Sequence, residues 1–293
     1  MFKHAVFFCA VGLCAQIACS HGFVGDRFFP PTIATDDPFA TDELLLPSYS
    51  YTPNPGGSES DLGFEFDKEI FPHFALGIAD QRIFQKSAGQ PAINGWDQLA
   101  LSAKYELWHN DKHEAIISVG IEADIGGTGN SSVGSESFTT YIPMVYFGKG
   151  FGDLPDAADD FKPFAVTAVL GEGIPTEAVD ADTFQWGIAV EYSLPYLEQS
   201  VKDVGLPEPF KNMIPLVEFA MQTGENRDQR GFTTGTINPG ALWETPYFQL
   251  GAEAIVPVNE HSGTHVGAIV QLEIFIDDIF PQVFGHPIFG AQQ

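Results

Sequence analysis

The stretch that most constrains this chain is Trp96 to Ile125, WDQLALSAKYELW, then HNDK, then HEAIISVGIEADI. In its first half Leu99, Leu101, Ala103, Tyr105 and Leu107 share one parity, and Gln98, Ala100, Ser102, Lys104 and Glu106 the other. In its second half Ala115, Ile117, Val119, Ile121, Ala123 and Ile125 alternate with Glu114, Ile116, Ser118, Gly120, Glu122 and Asp124. A period of two marks extended strands, because successive side chains point to opposite faces. Asn110-Asp111 between the halves is turn chemistry. The stretch therefore predicts a β-hairpin with one apolar and one carboxylate-bearing face. Soluble strands usually run to about five or six residues. Arms of roughly a dozen suit a tilted strand crossing a bilayer, which needs about 9–11. The apolar face would then meet lipid and the polar face a lumen.

The same alternation recurs along the chain. It is seen at Leu62-Phe64-Phe66, Phe74-Leu76-Ile78, Phe164-Val166-Ala168-Leu170 and Phe184-Trp186-Ile188-Val190-Tyr192. It continues at Val217-Phe219-Met221, Ile237 to Trp243, Phe248 to Val256 and Val266 to Ile276. Thr139 to Phe147 is apolar on both faces, and Leu44 to Thr52 reads as a poor first strand. These segments predict an all-β fold, a transmembrane antiparallel up-and-down β-barrel of about 12 strands. Polar, variable connections near 85–94, 126–136, 172–182 and 224–231 fall on one side, which would be extracellular. Tight turns at 109–112 and 244–246 fall on the other. Two long connections, 149–161 and 197–211, depart from that pattern. Trp96, Trp108, Tyr141, Tyr192, Trp243 and Tyr247 lie near strand ends, where an aromatic girdle belongs.

All three cysteines, Cys9, Cys14 and Cys19, lie in the first twenty residues. Lys3 and His4, an apolar run from Ala5 to Ala18 and small residues after it make residues 1–20 a signal peptide, cut before His21. A lipobox ending at Cys19 is the weaker reading. The mature chain would then hold no cysteine, and so neither disulfides nor thiolate metal sites. Residues 21–43, rich in Phe, Pro and Asp, read as an irregular periplasmic or plug segment. The barrel would occupy 44–280 and a tail 281–293. The net charge of −26 excludes nucleic acid as a natural partner, because phosphate binding needs a basic footprint.

A resemblance is carried by HGFVGDRFFPP (21–31), GTINPGALW (235–243), GAEAIVPVN (251–259), GTHVGAIVQ (263–271) and IDDIFP (276–281). On these segments the chain resembles bacterial outer-membrane β-barrels, and in detail the group associated with phenol meta-cleavage operons. The resemblance implies an outer-membrane location and passage of small, often hydrophobic or aromatic molecules. The chain departs from the barrel pattern in not ending on a strand-terminal Phe: Phe280 and Phe289 sit inside a short tail.

The polar parity names the candidate lumen residues: Glu65, Asp67, Lys104, Glu106, Glu114, Glu122, Asp124, Glu191, Glu218, Glu253 and Glu273. They read either as a cation-preferring lumen or as an ordinary hydrated interior. Glu122 and Asp124 share a face, as an acid–base pair would, but repeated alternation produces such pairs by itself. No catalytic residue, metal site or cofactor is expected. The His109/His113 and His261/His265 pairs read as exposed turn residues, and His21 has no second histidine marked out for it by spacing. Gly126-Gly127-Thr128-Gly129 lacks the Lys-Ser/Thr of a phosphate cradle. The expected function is an outer-membrane channel or uptake protein for small solutes, with lipid and solute as partners. The alternatives are a non-transporting barrel whose loops at 126–136 and 224–231 meet a partner, and a secreted soluble β-sandwich that binds carbohydrate.

Overall fold

The computed structural model describes residues 22–290. The proposed signal peptide, its cysteines and His21 lie outside the described residues. A small hairpin comes first, β1 (Phe23–Val24) and β2 (Arg27–Phe28). The main strands then follow in chain order. They are β3 (Glu43–Asn54), β4 (Gly57–Phe71), β5 (Phe74–Ser87), β6 (Ile93–Trp96), β7 (Leu99–Asn110), β8 (Ala115–Ile125) and β9 (Thr140–Gly150). After these come β10 (Phe164–Pro175), β11 (Thr183–Tyr192), β12 (Met213–Gly224), β13 (Thr233–Glu244), β14 (Phe248–Pro257) and β15 (Gly267–Ile274).

Neighbours pair antiparallel in sequence order from β7 to β15, β15 pairs with β3, and β3-β4-β5-β7 closes the ring. Twelve strands thus form a closed barrel, and the short β6 hangs on the end of β5. Closure leaves no edge, which is what allows strands to cross a bilayer. No helix among the described residues is long and apolar enough to cross a membrane.

The side chains sort as the alternation predicts. Leu76, Ile78, Leu101, Tyr105, Ile121, Val145, Leu170, Leu250 and Val270 all point outward and are exposed. Ala75, Ile116, Ser118, Ala165, Thr167, Ala189, Glu191 and Glu218, of the opposite parity, are buried. Trp96 and Tyr141 stand exposed at one rim, and Trp108 and Tyr247 at the other.

Three details correct the reading of the strands. The long hairpin begins at Leu99, because Trp96 belongs to β6 and Asp97-Gln98 break the run. Accordingly, the connection near 85–94 is partly extended. A β-bulge between Glu106 and Trp108 then adds a residue and turns both Leu107 and Trp108 outward. Finally, β4 is much longer than the Leu62–Phe66 alternation, because its polar ends are held by pairing from Gly57–Ser87 to Phe71–Phe74 rather than by an apolar face.

Residues 22–42 lie inside the ring. Val24, Phe29 and Phe39 pack with Ile116 and Ala165 of the wall. Phe28 packs with Ile214, Leu216, Leu242 and Phe275. Burying these side chains against the wall, each worth about 1.5–3 kcal/mol, gives an irregular segment a fixed place. The long connections 151–163 and 193–212 lie on the rim where the segment's hairpin sits, and their use is described below.

Candidate functional site: the lumen and its inner segment

The wall residues named from parity fall into two groups once residues 22–42 are in place. The first group holds that segment. Glu218 on β12 is fully buried and accepts from the backbone N–H groups of Ile33 (2.7 Å), Ala34 (3.1 Å) and Thr35 (2.7 Å), and from the Thr35 hydroxyl (2.6 Å). Successive N–H groups aimed at one carboxylate form an anion nest. Charge-assisted bonds of this kind are about twice as strong as neutral ones. Gln249 on β14 donates to the Pro31 carbonyl (2.8 Å). Ser118 on β8 donates to the Pro38 carbonyl.

A latch closes the hairpin end. Arg27 is fully buried and donates to Glu114 Oε2 (3.2 Å), to the Pro163 carbonyl (3.1 Å) and to the Lys162 carbonyl. Its guanidinium lies 3.5 Å from the centre of the Tyr196 ring. Glu114 accepts in turn from the Tyr196 hydroxyl (2.6 Å) and the Gly152 N–H (2.9 Å). Burial, and then the Glu114 bond, push the Tyr196 hydroxyl upward. The two long connections thus supply what a short turn could not: carbonyls, an aromatic face and an N–H around one buried arginine. Glu114 adopts a left-handed conformation (φ 45°) to reach it. A side chain at Gly152 would collide with Glu114 and Tyr196.

Glu191 and Glu253 belong to this half too, buried in the wall and lining none of the lumen cavities described below.

The second group faces open space. A cavity of about 230 Å³ is lined by Asp36 and Asp37 of the inner segment and by Glu43, Glu65, Asp67, Lys104, Glu122 and Glu273 of the wall. It meets a cavity of about 340 Å³ lined by Asp61, Asp80, Asp97 and Asp124, with Glu65 and Gln271 common to both. Towards the other rim lies a third, of about 210 Å³, lined by Asp42, Glu69, His73 and Glu106, with the buried Phe39 and Thr41 between the two. Along β4 alone, Asp61, Glu65, Asp67 and Glu69 pass from the first rim to the second on one face.

The room comes from small residues. In register across β3, β4, β5, β7 and β8 stand Glu43, Asp67, Gly77, Ser102 and Glu122. One row away stand Leu45, Glu65, Ala79, Ala100 and Asp124. A Cβ on Gly77 would meet Asp67 at 2.1 Å and Ser102 at 2.2 Å. Lys104 crosses this space to Asp36 Oδ1 (2.8 Å) and the Asp37 carbonyl (2.9 Å), with its ammonium 4.8 Å from the centre of the Tyr146 ring. Burial pushes the Asp37 carboxyl up to about 6, against the pull of Lys104.

Glu106 accepts from the Ala40 N–H (3.0 Å) and pairs with His73 (2.9 Å). His109 lies beside His73 and is exposed, as is His113, which pairs with Asp153. Among the described residues no group of three or more His, Cys, Asp or Glu is placed to hold a metal ion. Asp36 and Asp37, which the alternation of the wall could not name, complete the acidic cavity.

No family model matches the chain, and no curated protein matches it. Solved structures do. An outer-membrane channel from Pseudomonas putida F1 aligns at TM-score 0.53 with 12% identity, over 85% of this chain and all of that one. The NanC porin aligns at 0.48 with 9% identity, over 79% and 98%. The outer-membrane phospholipase A of Escherichia coli aligns at 0.40 with 9% identity, over 81% and 97%. The fold shared with the Pseudomonas putida channel is a closed antiparallel β-barrel, here of twelve strands.

Proposed function

We propose that the protein is an outer-membrane channel for small solutes, narrowed by residues 22–42 and conducting along the acidic face of β4. The observation that supports this reading is the succession of three cavities along the acidic face of β4, lined in turn by Asp61 and Glu65, by Glu65 and Asp67, and by Glu69. Their acidic lining favours cations over anions. The narrowness favours slow, selective passage over a general pore. The likeness to the group associated with phenol meta-cleavage operons supports small aromatic solutes as neutral cargo.

Refolded protein in planar bilayers tests the reading. A salt gradient should give a cation-selective reversal potential, and Glu65→Gln with Asp67→Asn should reduce the cation-to-anion ratio by about two- to five-fold through lost charge at close range. Protein that is folded and inserted but passes neither ions nor aromatic solutes overturns the channel.

A further inference from the structure

Lys104 is the one basic side chain among the residues lining the central cavity. Its ammonium sits as a bound primary amine would: one carboxylate, one carbonyl and one aromatic face hold it. Among the ion pairs of the described residues, none involves the remaining carboxylates of that cavity, Glu43, Glu65, Asp67, Glu122 and Glu273. Glu273 is only 2% exposed, lines the cavity, and its Oε1 has no hydrogen-bond partner. A buried carboxylate oxygen left unpaired costs desolvation free energy that a cationic guest would return.

The spacing selects the kind of cation. Glu65 and Asp67 are two residues apart on β4, and Glu122 and Asp124 are two apart on β8. Such neighbours on one face lie about 6.5–7 Å apart along the strand. Side chains of this length can turn towards one another, but among the described residues no group of three or more His, Cys, Asp or Glu is placed to hold a metal ion. Carboxylates so spaced can receive two ammonium groups joined by a short alkyl chain. Ala79 and Ala100 line the cavity beside them, which has space for the methylenes.

We propose that the central cavity is a binding subsite for linear diamines, in which Glu65, Asp67, Glu122 and Glu273 receive the ammonium groups and the Lys104 ammonium occupies the place of a third. The proposal rests on the channel reading for its transport meaning but not for the binding itself.

Titration calorimetry on the refolded barrel in detergent, with putrescine, magnesium and glutarate at equal ionic strength, tests it. Variants are first checked for the shift in gel mobility on boiling that a closed barrel shows. Putrescine should bind, glutarate should not, and magnesium should bind more weakly than putrescine. Glu273→Gln and Glu65→Gln should each weaken putrescine about three- to ten-fold, and Lys104→Met should strengthen it about ten-fold, by removing a competing charge. Folded protein that ignores putrescine, or takes magnesium as well as putrescine, overturns the proposal. So does a folded Lys104→Met variant of unchanged affinity. Ion current without putrescine binding leaves the channel reading standing and removes this one. Putrescine binding without current does the reverse.

Discussion

The two halves of the lumen use the same alphabet differently. Towards β10–β14 the wall meets the inner segment closely through Glu218 and Gln249, while Glu191 and Glu253 are buried in the wall without a hydrogen bond to that segment. Glu218 takes four bonds from residues 33–35, Gln249 takes Pro31, and an apolar cluster around Phe28 fills the rest. Towards β3–β8 the wall carries small residues, and its carboxylates look into open space. A carboxylate at an inward position is therefore an anchor where the N–H groups of the inner segment face it, as at Glu218, and a lining where that segment stands back, as at Glu65 and Asp67. Charge pattern sets direction; the opposing surface sets use.

The comparison breaks most sharply if the anchored half is cut loose. Glu218→Ala leaves three N–H groups without their acceptor, at about 1–3 kcal/mol for each that stays buried. Arg27→Ala strands Glu114 and Tyr196 at the other end. The double variant should free residues 22–42 and raise single-channel conductance several-fold, with the barrel's mobility shift on boiling retained. Unchanged conductance would mean that the sealed half does not control the path.

A smaller effect is expected from pH. The Asp37 carboxyl is raised to about 6 inside the barrel. A carboxyl with a higher pKa in the docked than in the free segment takes up a proton on docking. Docking thus strengthens as pH falls from about 6 towards the free carboxyl's 3.8, and is constant above about 6. Conductance should be lower at about pH 5 than at about pH 7.5, and Asp37→Asn should flatten the difference. The smallest effect belongs to the rim. Shortening the loop at 225–232 should leave current and cation preference within error, because it lines none of the three cavities. Loss of transport there would place the loop on the solute's path and end the division between rim and lumen.

Much of this was legible in the chain. Alternation reported twelve strands and the inward direction of Glu65, Lys104, Glu122, Asp124, Glu191, Glu218, Glu253 and Glu273, because parity is local and a closed barrel enforces it everywhere. What alternation could not report was the split into anchors and lining. That depends on contacts such as Ile33 with Glu218, 185 residues apart, and nothing local encodes them. The long connections at 151–163 and 193–212 looked wrong for a porin for the same reason. Their purpose is Arg27, more than a hundred residues upstream. The one available signal was the column of small inward residues, Gly77, Ala79, Ala100 and Ser102, which marks where the wall must stand back from whatever fills the bore.

The strand β15 does not finish the barrel alone. Past it, the chain crosses beneath β3, and the N–H groups of Ile288 and Phe289 bond to the Glu69 and Ile70 carbonyls on β4 (3.2 and 2.8 Å). Lys68 grips both this tail, at the His286 carbonyl, and Asp42, where the inner segment joins the first barrel strand. The tail after β15 and the inner segment before β3 are thus both held by the same end of β4. Pulled from either side, the described chain loads that one strand first.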